Sequence, residues 1–240
     1  MKEHRDLIMP ATSLDSQEME LDPLTLSFPG DIEGTFLDDF FKNSLRQVRL
    51  SLFAGILFYG FFGILDATLV PEMKGALWLI RFAVVCPCLL GVILFSFLPH
   101  FKRYFQISVA AAMMIAGFGI IAMISIIPPP VNYSYYAGLI LVFIWGYSFT
   151  RVRFTWATLA GWTIVVFYEI VSVWVIDTPA SIQIGNSFFV ISANIIGMFV
   201  CYSIEYYTRR DFFLAYLLEN EQGKLKTANI RLEKIPSVPI

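Results

Sequence analysis

Histidine is nearly missing from this 240-residue chain. His4 lies in a polar tail and His100 at the end of an apolar run, which excludes a bis-histidine haem held within one chain's membrane segment. Cysteine is scarce too: Cys86, Cys88 and Cys201 all fall in or at the end of apolar runs and say nothing about a redox compartment. Cys86-Pro87-Cys88 is no metal motif, because residues two apart on a helix point in well-separated directions and no histidine or third thiol is in reach. Packing and a proline kink account for it. There is no phosphate-binding glycine loop, nucleophile elbow or zinc helix, so neither catalysis nor a cofactor or metal is expected. Charge is short as well, at 15% of residues against 57% hydrophobic, with mean hydropathy +0.67. That balance excludes an ordinary soluble domain, and a net charge of −2 gives no support to nucleic-acid binding.

What the chain has is long apolar runs. Six are legible: Leu50 to Val70, Ala76 to Leu98, Ile107 to Ile127, Tyr135 to Phe149, Phe154 to Ile176 and Ile184 to Tyr206, the fourth being the shortest. At ~1.5 Å rise per residue, a run of about 21 residues covers ~31 Å, which matches a hydrocarbon core of ~30 Å. The connections are short, so neighbouring helices are antiparallel and no external domain fits between them. Lys42, Arg46, Arg49, Lys102, Arg103, Arg151, Arg153, Arg209 and Arg210 fall on one side of this pattern, and only Lys74 on the other. The positive-inside rule then puts both termini in the cytoplasm, and that parity favours six spans over five. The expected fold is all-α: a polytopic six-helix transmembrane bundle with a C-terminal cytosolic coiled-coil helix.

The first 49 residues are too polar for a cleaved signal peptide, so the first apolar run is read as an uncleaved signal anchor. Residues 1–34 read as a disordered cytosolic tail in which Leu21, Leu24, Leu26 and Phe28 are too sparse to bury. Residues 35–49, where Thr35 and Asp38 resemble a helix start and Phe36, Leu37, Phe40, Phe41, Leu45 and Val48 share a face, predict an amphipathic interfacial helix. Residues 50–206 are then the transmembrane domain, 207–235 a cytosolic signalling helix, and 236–240 a short tail. Ala and Gly pairs four apart (Gly63 and Ala67, Ala112 and Ala116, Ala157 and Gly161, Ala193 and Gly197) allow helices to approach closely.

Polar residues inside the runs are the candidate sites. Asp66 and Arg81 lie at matching depth on either side of the Pro71 to Gly75 turn, and pairing spares each the cost of a lone intramembrane charge, ~2.5–3.5 kcal/mol at the centre of a span. The pair fixes the register of the first hairpin, or forms half of a ligand or proton site. Glu169 lies in the outer half of the fifth run with no cation nearby in sequence. Arg81 could serve both carboxylates, giving a cluster of Asp66, Arg81 and Glu169; the alternative is a protonated Glu169 hydrogen-bonded to Tyr or Ser, and either arrangement is a ligand- or ion-sensing site or a satisfied structural polar group. Asn194 is read as an interhelical hydrogen-bonding residue.

After the sixth run, Glu205 through Arg210 bring aromatics and cations that suit lipid headgroups. Leu214, Leu218, Glu221, Leu225, Ala228, Leu232 and Ile235 then recur at alternating spacings of four and three, a heptad seam. Glu221, Ala228 and Gly223 make that coil marginal, and a marginal coil can be tipped. The alternative is one amphipathic helix on the membrane surface.

The order of parts resembles the six-helix membrane domain that precedes the catalytic domain in bacterial membrane-bound class III adenylate and guanylate cyclases. Phe62-Gly63-Ile64-Leu65-Asp66, Trp78-Leu79-Ile80-Arg81-Phe82, Ser192 through Met198 and Glu205 through Phe213 carry the likeness, which covers roughly residues 35 to 235. Similar six-helix sensors also precede diguanylate cyclase and histidine kinase outputs. The chain stops at Ile240, before any catalytic domain, so the resemblance implies a receptor or anchor module and not an enzyme. It also implies a multi-pass protein of the bacterial inner membrane, a parallel homodimer, a small hydrophobic or extracytoplasmic ligand, and a cytosolic cyclase or other output domain as partners. The rival readings are a small transporter or channel, for which no inverted repeat is visible, and a plain membrane anchor.

Overall fold

The computed structural model describes residues 19–233, with side chains to residue 230. All regular structure among the described residues is helical. α1 spans Ile32–Leu69, α2 spans Lys74–Phe95, α3 spans Phe101–Ile126, α4 spans Ala137–Phe149, α5 spans Phe154–Trp174 and α6 spans Ala180–Glu233. Five of these are long and apolar enough to cross a membrane. The exception is α4, whose 13 residues reach roughly 20 Å against a ~30 Å core, so length and composition alone mark five of the six expected spans.

Two further boundaries differ from expectation. α1 begins at Ile32 and runs without a break to Leu69, so the interfacial helix and the first run are one helix; no Gly or Pro interrupts the join around Leu50. α6 begins at Ala180, straight after Pro179, which ends the preceding loop. Residues 1–18 and 234–240, and with them Ile235, lie outside the described residues.

The chain divides into two units, Leu37–Glu205 and Met1–Phe36 with Tyr206–Ile240. In the first unit α3 is the most buried helix, with 61% of its apolar window covered. Small residues make that burial possible: Ala112 and Ala116 are buried, and a β-carbon on Gly117 would stand 2.7 Å from Ile164 Cδ1 of α5. Ala112, Ala116, Ala157 and Gly161, where close helix approach was expected, are all buried, Gly161 against Tyr147 and Asn194.

Within α2, residues Leu79–Val85 form a π-helix between α-helical turns at Lys74–Trp78 and Cys86–Phe95. Pro87 has no N–H to donate to the carbonyl one turn back, and its ring crowds that carbonyl, so the turn before it widens. The proline expected to kink the helix acts in this way.

In the second unit, the described part of the tail is ordered locally. Asp22 accepts the backbone N–H groups of Leu24 and Thr25 at 2.9 and 2.8 Å, closing a turn. Leu26 and Phe28 are buried, contrary to the expectation that they are too sparse. Phe28 packs on the rings of Phe36, Phe212 and Phe213, centroids 5.6 to 6.0 Å away, so two of its three aromatic partners come from distant sequence and none from the tail.

Candidate functional site

Asp66 near the end of α1 and Arg81 in the π-helix form a bidentate pair: Arg81 Nε donates to Oδ2 at 2.9 Å and an Nη to Oδ1 at 3.0 Å. Both side chains are almost fully enclosed, at 1% and 2% exposed. Arg81 donates a third hydrogen bond to the Tyr59 carbonyl at 2.7 Å and lies 4.8 Å over the Tyr59 ring. Tyr135 donates to Asp66 Oδ1 at 3.3 Å, and Trp78 Nε1 to the Gly63 carbonyl at 2.9 Å. A guanidinium so placed has its charge balanced, its fork matched and its face covered, which is what an arginine needs to lie within a bundle.

Glu169 does not join that pair. Its Oε2 accepts from Gln183 Nε2 at 2.6 Å and from Ser187 Oγ at 3.0 Å, both on α6, while its Oε1 is buried with no hydrogen-bond partner. The three-residue cluster expected from sequence is therefore two separate sites. The physical reason is that Arg81 spends its donors on Asp66 and Tyr59, and α5 turns Glu169 toward the start of α6. The alternative expectation, a carboxyl bonded to Tyr or Ser, comes nearer, through Ser187.

Around Glu169 the polar groups continue. Ser172, which is buried, pairs its hydroxyl with Thr178 at 3.0 Å and donates to the side-chain oxygen of Gln183. Asn186 donates to the Tyr133 carbonyl at 3.0 Å. Tyr133 and Tyr135 thus place the Glu169 and Asp66 groups at the same end of this unit. At the other end, Arg49 donates to Ser96, Arg151 to Gln47, and the Arg153 amide to Gln106 Oε1, all between 2.6 and 2.8 Å.

Asn194 of α6 is fully buried, and its carbonyl oxygen accepts from Tyr147 Oη of α4 at 2.7 Å. Tyr147 fits in a slot made by two glycines. A β-carbon at Gly161 would collide with the Tyr147 hydroxyl and Asn194, and one at Gly197 with the Tyr147 ring. The interhelical hydrogen bond expected of Asn194 is present.

Two residues carry more structure than sequence reading gave them. Glu205, 4% exposed, accepts the Phe154 backbone N–H at 2.6 Å and Arg153 Nε at 3.3 Å, so a carboxylate of α6 caps the N-terminus of α5, where the helix dipole favours negative charge. An isolated acid at the end of an apolar run, at the depth of Arg151-Val152-Arg153, was the available signal. Arg209 is not a headgroup anchor: it is completely buried and bonds Glu33 through two nitrogens, at 2.7 and 3.2 Å. Its guanidinium lies 4.1 Å over the Phe36 ring, and the Phe28 amide donates to Glu33 at 2.9 Å. Arg210 is exposed.

Of the seam residues, Leu214, Leu218 and Leu225 are exposed, Glu221 pairs with Lys224 at 2.7 Å on the surface, and Ala228 is exposed. Leu232 lies on α6 beyond the described side chains.

A helical bundle with apolar spans, a buried ion pair at one end and a long terminal helix is of the class of membrane-associated sensory domains. The chain belongs to the MASE8 family, whose model matches residues 64–219. That stretch takes in Asp66, Arg81, Glu169, Asn194 and Arg209, and leaves Glu33 outside. No curated protein matches the chain.

Proposed function

We propose that the chain is a membrane-embedded sensor and transducer that pairs as a parallel homodimer in the bacterial inner membrane. It relays a membrane or extracytoplasmic signal through α6 to a cytosolic output such as a nucleotide cyclase domain, and carries no catalysis itself. Both termini face the cytoplasm, and α4, led in by the 3-10 turn at Val131–Ser134, makes the sixth crossing that this parity demands.

The observation that carries this reading is the length of α6. Its 54 residues reach roughly 80 Å, more than twice a ~30 Å hydrocarbon core, with no helix break between the apolar stretch and the charged one. A rod of that kind can pass rotation or sliding along its axis, provided its end has two arrangements a few kcal/mol apart. The exposed Leu214, Leu218 and Leu225 supply a face for a second copy, and the surface-exposed Glu221 on the same seam keeps that pairing weak enough to switch.

The test is a fusion of residues 1–235 to a class III cyclase catalytic domain. One extra residue after Leu218 turns everything beyond it by about 100° and should change cyclic nucleotide output about fivefold or more, while seven extra residues restore it. Glu169→Gln, Asp66→Asn and Arg81→Ala are compared in the same fusion. Output indifferent to the single insertion would sink the relay and leave a plain anchor.

A further inference from the structure

Glu169 lies five residues before Trp174, roughly 7.5 Å from the end of α5. Its partners, Gln183 and Ser187, are neutral, and its second carboxyl oxygen is buried without any partner. A carboxylate oxygen enclosed in a bundle and left unbonded is costly, so the site calls for a positive group. The last turn of α5 holds no basic residue, and the carbonyl end of a helix itself favours a cation. The nearby donors are hard oxygens. The hydroxyls of Ser172, Thr178 and Ser187 and the amide oxygen of Gln183 gather with the carboxylate at the α5–α6 turn, where Asp177 takes a positive φ of 52° and the chain leaves regular helix.

We infer that this cluster of oxygens binds a small monovalent cation, sodium in kind, with Glu169 Oε1 as its charged ligand and the hydroxyls of Ser172, Thr178 and Ser187 completing the shell. One carboxylate balances one positive charge. A divalent ion would ask for more: no group of three or more His, Cys, Asp or Glu comes together among the described residues. Irregular backbone and a helix C-terminus lining a polar pocket within a membrane protein are the setting in which sodium is held. The site needs no relay to an output domain, so it stands or falls separately from the signalling role.

The full chain in lipid nanodiscs, at constant pH and ionic strength with choline replacing sodium, provides the test. Bound radioactive sodium and the thermal midpoint are both read. Saturable sodium binding should accompany a rise in midpoint that choline does not produce. Glu169→Gln should weaken sodium binding at least about tenfold and Ser187→Ala by a smaller factor, with Asp22→Asn unchanged as a control. Equal midpoints in sodium and choline with no bound sodium would overturn the inference, as would a Glu169→Gln protein that binds sodium normally. Should Glu169→Gln fail to fold, Ser187→Ala and Ser172→Ala decide: weakened binding in either supports the site, and normal binding in both overturns it.

Discussion

Among the described residues two arginines are buried outright, and they are buried in different ways. Arg81, in the unit formed by Leu37–Glu205, meets an aspartate 15 residues away across one turn, and that aspartate is itself enclosed. Arg209, in the other unit, meets Glu33, which is 176 residues away in sequence and keeps 19% of its side chain exposed. Each guanidinium has a bidentate carboxylate and an aromatic face, over Tyr59 in one case and Phe36 in the other. The first pair completes itself as soon as a hairpin forms. The second needs the two ends of the chain brought together, although the loop-closure cost of that grows only slowly with length.

The sharpest break of this comparison is Asp66→Ala, which strands Arg81 in an enclosed site and should cost about 3–5 kcal/mol, read as loss of thermal stability in detergent micelles. The paired replacement of Asp66 by Leu and Arg81 by Met should recover most of that, since an apolar pair of similar volume often matches a buried ion pair. Recovery would show that the bundle does not need the ion pair for its stability. Glu33→Gln should cost less, about 2 kcal/mol, because Glu33 retains contact with solvent that screens the pair. Proteolysis of residues 22–36 should rise in that variant; unchanged cleavage would mean that the aromatic cluster alone holds Phe28.

Smaller still is Tyr147→Phe, which leaves Asn194 with no donor to its carbonyl oxygen and should destabilise by about 1 kcal/mol. The smallest effect is at Asp22. The backbone N–H groups of Thr25 and Leu24 hold its carboxyl below the usual carboxylate range. A depressed folded value means that the turn's support is full above the ordinary carboxylate range and is lost as pH falls through the folded one. Amide exchange at Leu24 and Thr25 should therefore quicken in acid, and Asp22→Asn should flatten that dependence.

Sequence alone carried the apolar runs, their short connections and the Asp66–Arg81 pair, because periodicity and a 15-residue separation across one turn are local facts. It left Glu169 between the Asp66–Arg81 pair and a Tyr or Ser partner, since depth along a span constrains only one coordinate and the facing of α5 toward α6 depends on packing. It read Arg209 as an anchor for the same reason: two adjacent cations after an apolar run look alike, and only tertiary contact with Phe36 and Glu33 separates Arg209 from Arg210. The burial of Phe28 needed Phe212 and Phe213, which no window around residue 28 contains.

The widened turn at Leu79–Val85 has a consequence for how this chain tolerates editing. A π segment is an α-helix that has taken up one surplus residue while its flanks keep their facing. Deleting a single residue there should let the segment relax to ordinary α-helix, with Leu77 before it and Leu89 after it still turned inward. The same deletion in the middle of α3 would swing half a span around by about 100°.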